Sequence, residues 1–265
     1  MIVALVDNGS LEPASTRNLR AVAAALSTNV RRTVFPVSWR HSDRLRAEAL
    51  DGNPADTLAN FVRRHLAQGE REFLFVPFFV SPQGAIGTAL RADLERLASA
   101  AGGFAFDFTD GLAERGVVAE IVVDRLRETM AARTLTTPAV VVVDHGGPAP
   151  VSASLRDRLA SEIGTRLGAL IGPLAGASME GGEHRHNRPL LAEVFDRPGF
   201  DAGDVVLAPL FLSPGRHAGP GGDLARIAGE AAARRPALRP HFAGLVGNHP
   251  AAAAALAAAI RTAIG

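Results

Sequence analysis

The sequence predicts an α/β protein made twice over: two lobes from an internal duplication, each a parallel sheet with helices on both faces. Three observations predict it. Blocks of sequence recur in the same order along the two halves, the mark of a repeated architecture. Within each half, apolar runs of strand length alternate with helical stretches of about 10–20 residues, as βαβ units do. A polar, Pro-ended stretch at 133–138 (RTLTTP) supplies a linker between the halves.

The elements follow in order. Residues 3–10 read VALVDNGS and residues 140–147 read VVVVDHGG. Each strand-like run leads through a Pro-containing turn into a helical stretch, 16–26 and 152–167. The next apolar segments run to Pro36-Val37-Ser38-Trp39-Arg40 and to Ala175-Gly176-Ala177-Ser178-Met179-Glu180. Then FVPFFVSP at 75–82 pairs with LAPLFLSP at 207–214. Both are followed by a glycine-bearing loop and an Asp-Leu, at Asp93-Leu94 and Asp223-Leu224. Finally 108–126 pairs with 242–256, each a short strand and turn entering a helix. The chain therefore divides into a domain of residues 1–135 and a domain of residues 136–265. Ligands of parallel sheets bind beyond the carboxyl ends of the strands, at a switch point. The loops after Asp7 or Asp144, and after Pro82 or Pro214, lie at those ends, and the two lobes are expected to face each other across a cleft.

Composition narrows the chemistry. Hydrophobic residues make up 47% and charged residues 21% of 265, enough to bury a core. Lys plus Arg number 28 against 27 Asp plus Glu, a net charge of +1, so charge points to neither nucleic acid nor a membrane surface. Cysteine is absent, which excludes disulfides, thiolate metal sites and cysteine nucleophiles and fits a cytoplasmic address. The start, MIVALVDNGS, lacks the basic, long apolar pattern of a signal peptide, and no run approaches the ~18 apolar residues of a membrane span.

The two copies differ where chemistry is expected. Aligning the blocks sets Asn8 against His145, Arg40 against Glu180, and Ala85 against His217. The second copy thus carries two imidazoles and a carboxylate on three strand-end loops, and the first has lost all three. Two imidazoles beside one carboxylate suit cobalt, iron, nickel or zinc with coordination positions left open. Gly146 and Gly147 after His145, with the glycines around His217, would let backbone approach a flat ligand closely. His184 and His186 form a second local cluster, either a solvated loop or a route for metal or substrate. His41, His65, His241 and His249 read as structural. PGRHAGPGGDL lacks a dinucleotide-binding G-x-G-x-x-G, and neither G-x-S-x-G nor a Walker motif occurs.

HGG after an apolar strand, SMEGGEHRH and PLFLSPGRHAGPGGDL together resemble the sirohydrochlorin chelatase family, the class II, ATP-independent chelatases (lyases) of cobalamin and sirohaem synthesis. The resemblance covers both halves. It implies two flavodoxin-like lobes with a tetrapyrrole between them, and it places metal uptake and removal of pyrrole protons on His145, Glu180 and His217. The family's His-Gly-Ser becomes His145-Gly146-Gly147 here, while the first copy keeps Ser10 but has Asn8.

The resulting expectation is insertion of cobalt or ferrous iron, as substrate, into sirohydrochlorin or a related tetrapyrrole, with no prosthetic group. His145, Glu180 and His217 would hold the ion, with one imidazole acting as base toward pyrrole protons. Ser10, Arg40, Gly146, Gly147, Arg185 and Arg216 would contact the substrate, the arginines through its carboxylates. Two alternatives stay open: a non-catalytic metal or tetrapyrrole carrier on the same fold, and a hydrolase using metal-bound water. Oligomeric state is not legible.

Overall fold

The computed structural model of the chain describes residues 1–80 and 85–265, and of residues 85 and 86 the backbone only. Residues 81 and 82 of the repeated block, and the Ala85 side chain aligned with His217, lie outside the described residues. Among those described, eight strands form two four-stranded sheets, every neighbouring pair parallel. The first holds β1 (Ile2–Asp7), β2 (Val34–Ser38), β3 (Glu72–Pro77) and β4 (Ala105–Phe108), in the order β2-β1-β3-β4. The second repeats it with β5 (Ala139–Asp144), β6 (Leu174–Ser178), β7 (Gly203–Pro209) and β8 (Leu238–Phe242), in the order β6-β5-β7-β8. The order reverses beside β1 and β5, which is the switch point of a flavodoxin-like sheet.

The helices are α1 (Pro13–Val30), α2 (Leu58–Ala67), α3 (Ala85–Ala100), α4 (Val118–Arg133), α5 (Pro150–Leu167), α6 (Leu191–Val194), α7 (Asp223–Arg234) and α8 (Pro250–Ile264). A proline opens α1, α5 and α8, where its missing N–H costs nothing and its φ is already helical. The β-branched run Val140–Val143 makes β5 a central strand buried along its whole length. Val141 and Val143 pack with Leu191, Val194, Phe195, Leu224 and Ala228 of the α6–α7 side, and α5 covers the other face. Each such apolar side chain contributes roughly 1.5–3 kcal/mol by leaving water. The core of the first sheet is richer in aromatics, with Phe61, Phe73, Phe75, Phe79 and Trp39 among its aliphatic side chains.

The sheets follow the repeat and two helices do not. One compact unit comprises Met1–Gly116, Leu212–Gly215 and Gly247–Gly265; the other comprises Val117–Phe211 and Arg216–Val246. The final helix of each copy is thus exchanged. α8 packs along α1 and α4 along α5, so the units differ from a division at residue 135. The alanines of α8 allow this close approach, burying Ala252, Leu256, Ala257 and Ile260, and Arg261 donates to the Asn29 carbonyl at 3.3 Å.

Candidate metal centre

Three loops at the carboxyl ends of β5, β6 and β7 carry the candidate residues. The turn after β5 is set by backbone bonds from Met179 to the Asp144 carbonyl (2.9 Å) and from Glu180 to the His145 carbonyl (3.1 Å). The first copy makes the same two bonds, Trp39 to Asp7 (2.8 Å) and Arg40 to Asn8 (3.2 Å). Asn8 therefore stands where His145 stands, and Arg40 where Glu180 stands. Gly146 has φ +84, and a Cβ there would lie 2.1 Å from the Glu180 carbonyl oxygen; Gly9 makes the matching approach to Arg40. The glycine lets the turns that carry His145 and Glu180 touch.

His145 Nε2 lies 3.3 Å from His217 Nε2 and 3.5 Å from Glu180 Oε1. On the far side of each ring, Nδ1 meets an acceptor. His145 Nδ1 donates to the Gly146 carbonyl at 2.8 Å, and His217 Nδ1 donates to Asp223 Oδ2 at 2.8 Å. A neutral imidazole with its proton on Nδ1 presents a lone pair at Nε2. Nε2 of His145 thus faces a second imidazole nitrogen and a carboxylate oxygen, each within 3.5 Å. Ligand atoms about 2.1 Å from a tetrahedral ion stand about 3.4 Å apart, close to the two spacings that run from His145 Nε2. Among the described residues no group of three His, Asp or Glu side chains is arranged to hold a metal ion; the contacts run pairwise through His145. The side chains of His145 and Glu180 are 45% and 58% exposed, so both are free to turn onto an ion.

Asp223, the first residue of α7, is a residue that sequence reasoning missed. Hydrogen bonding from His217 holds its carboxyl below the usual carboxylate range, aided by the charge of Arg216. The loop between His217 and Asp223 doubles back because Gly222 can sit against three carbonyls, where a Cβ would come within 2.6 Å of Arg216 O. Phe211 flanks both imidazoles, its centroid 6.4 Å from His145 and 6.3 Å from His217. Buried Asn187 pins the neighbouring loop, donating to the carbonyls of Gly147 (3.0 Å) and Gly181 (2.9 Å). His186 Nε2 donates to the same Gly147 carbonyl at 2.9 Å, and His184 stacks on His186.

The first copy has other groups at the positions of His145 and Glu180. Arg40 donates to Asp93 Oδ2 at 3.0 Å and lies over the Trp39 ring, whose Nε1 donates to the same oxygen at 2.9 Å. An internal ion pair stands where the second copy keeps acceptors. Ser10 likewise has local partners, accepting from Glu12 N and bonding Ser42. Arg216 is 80% exposed, 3.7 Å from Asp223, and Arg185 is exposed. Three other histidines have partners of their own: His65 lies edge-on or tilted among Phe35, Phe61 and Phe73, His241 bonds Asp204, and His249 accepts from Ala251 N at the start of α8.

No protein-family model and no curated protein sequence matches the chain. Solved structures do. SirB from Bacillus subtilis with Fe3+ is 16% identical at a TM-score of 0.67, covering 98% of this chain and 95% of that one. CbiX, described as the terminal enzyme for siroheme biosynthesis in denitrifying bacteria, is 15% identical at a TM-score of 0.64, covering 100% and 99%. The chain has the fold of the sirohydrochlorin chelatases. A second structure of the SirB chelatase, from Bacillus subtilis subspecies spizizenii, is in complex with cobalt and is 16% identical at a TM-score of 0.67, covering 98% and 94%. The chelatase fold in this chain is one whose two sheets have diverged, with the acceptor cluster kept beyond the second. Among the described residues no helix is long and apolar enough to cross a membrane.

Proposed function

We propose that the chain is a class II chelatase that inserts a divalent metal ion, cobalt or ferrous iron, into sirohydrochlorin or a related tetrapyrrole without ATP. One observation carries this reading: Nε2 of His145 lies within 3.5 Å of both His217 Nε2 and Glu180 Oε1, while Nδ1 of each ring is turned to an acceptor. Acceptors held this way are satisfied by a cation, and imidazole with carboxylate suits cobalt and iron. Insertion exchanges one divalent ion for two pyrrole protons. As the ion passes to the macrocycle nitrogens, the vacated lone pairs of His145 and His217 and the Glu180 carboxylate accept those protons. Asp223 keeps the His217 ring oriented through both stages. Exposed Arg185 and Arg216 would meet substrate carboxylates, as would Arg40, which also bonds Asp93.

The fold of SirB and CbiX supports the reading, as does the binding of Fe3+ and cobalt by SirB. The test mixes protein, cobalt(II) and an excess of metal-free sirohydrochlorin anaerobically and follows the absorbance change of the macrocycle. Many product molecules per protein, lost in His145→Ala and His217→Ala, are expected. One equivalent at most would make the chain a carrier.

A further inference from the structure

Among the described residues, the largest fully buried side chain is charged. Arg156 sits on α5 at 1% exposure, a placement that is costly unless every donor is used. Its Nη1 donates to Ser178 Oγ at 2.6 Å and lies 3.5 Å from Asp144 Oδ1; Ser178 Oγ donates in turn to that oxygen at 2.6 Å. Its Nη2 donates to the His186 carbonyl at 3.3 Å, and its Nε to Asp157 Oδ1 at 2.8 Å. One guanidinium therefore grips the last residue of β5, the last residue of β6 and the loop beyond it. Asp144 directly precedes His145, Ser178 lies two residues before Glu180, and His186 O belongs to the loop that Asn187 ties to Gly147.

The duplication supplies a control. α1 and α5 have the same length and both open on proline, so Arg156 corresponds to Leu19, which is as deeply buried. The first copy keeps the aspartate and serine, Asp7 and Ser38, at paired strand ends without the arginine. Leucine thus fits this place in this fold. A second difference goes with the first. Gly176 in β6 corresponds to Pro36, and a Cβ at Gly176 would stand 2.9 Å from Asp157 Oδ1 and 3.2 Å from Arg156 Nε. Glycine inside a strand is unfavourable; here it clears room for the guanidinium. Both departures fall in the copy that holds the acceptor cluster.

We propose that Arg156 is a positioning residue of the metal centre, a buried strut that keeps the His145 and Glu180 turns at the separation an ion requires. The proposal rests on the reading of His145, Glu180 and His217 as metal ligands. It is tested by calorimetric titration with cobalt(II), the visible cobalt band at saturation and thermal unfolding, in wild type, His217→Ala and Arg156→Leu. Arg156→Leu, which installs the first copy's residue, should fold, bind cobalt about tenfold more weakly, the lower end for loss of an outer partner, and shift the cobalt band. Wild-type affinity and band in folded Arg156→Leu would overturn the proposal and leave the ligand assignment standing. Cobalt binding that His217→Ala leaves unchanged would overturn the assignment, and the strut with it. Should Arg156→Leu fail to fold, Ser178→Ala replaces it: weakened cobalt binding with an altered band supports the strut, and a wild-type profile overturns it.

Discussion

Replacing Asp7 by asparagine should change how stability depends on pH. Asp7 closes β1 and is buried; burial pushes its carboxyl from the usual 3.8 up to about 6, against the opposing hydrogen bonds from Ser38 and the Gly9 N–H. Leu19 stands where the second copy has Arg156, so no matching guanidinium offsets that burial. The native state therefore holds a proton that the unfolded chain releases at lower pH. Stability from this group is complete below about 3.8 and is lost as pH rises through about 6. A shift of that size corresponds to roughly 3 kcal/mol in all, of which about 2 kcal/mol falls between pH of about 4.5 and about 7.5. An asparagine side chain cannot ionise, so the variant lacks that decline. Urea unfolding of both proteins at the two pH values reads the difference. Asp7→Asn should gain about 2 kcal/mol on wild type between the acidic and the neutral condition. A constant difference between the two proteins would refute the burial argument.

Three further outcomes follow from the site. Asp223→Asn should weaken cobalt(II) binding about 10- to 100-fold, the usual loss on removing a histidine's outer carboxylate, with little change in melting temperature; calorimetry and circular dichroism check it. Gly146→Ala meets the Glu180 carbonyl at 2.1 Å in a left-handed backbone and should cost about 1–3 kcal/mol of stability or more, seen in denaturant midpoints, while abolishing cobalt uptake. Asn8→Ala should leave cobalt binding within about twofold of wild type, whereas His145→Ala should abolish it, a loss well beyond about 100-fold; equal losses in the two variants would contradict the asymmetry of the copies.

Much of the fold was readable because duplication writes the same strand ends twice. VDNGS and VDHGG mark the same turn, and the loss of His145, Glu180 and His217 equivalents as a set marks the chemistry. Strand-end residues are legible since β5, β6 and β7 are short and their loops begin at once. Asp223 was not legible as the partner of His217, because a glycine loop must first fold back over six residues. Arg156 escaped notice for a different reason: a charged residue on a helix reads as solvent-facing, and only the glycine cleared at position 176 on another strand betrays its burial. The exchange of α4 and α8 is equally silent, since an amphipathic or alanine-rich helix does not specify which sheet it will cover. Arg40, expected at the substrate, bonds Asp93 and lies over the Trp39 ring.

The central claim is that His145, His217 and Glu180 bind the incoming ion together. Crystals soaked in cobalt(II) and measured at the cobalt absorption edge test it directly. The account predicts a single strong anomalous peak about 2.0–2.2 Å from Nε2 of both histidines and from a Glu180 oxygen, with open positions toward solvent. A peak coordinated elsewhere, or by only one of the two imidazoles, would contradict it.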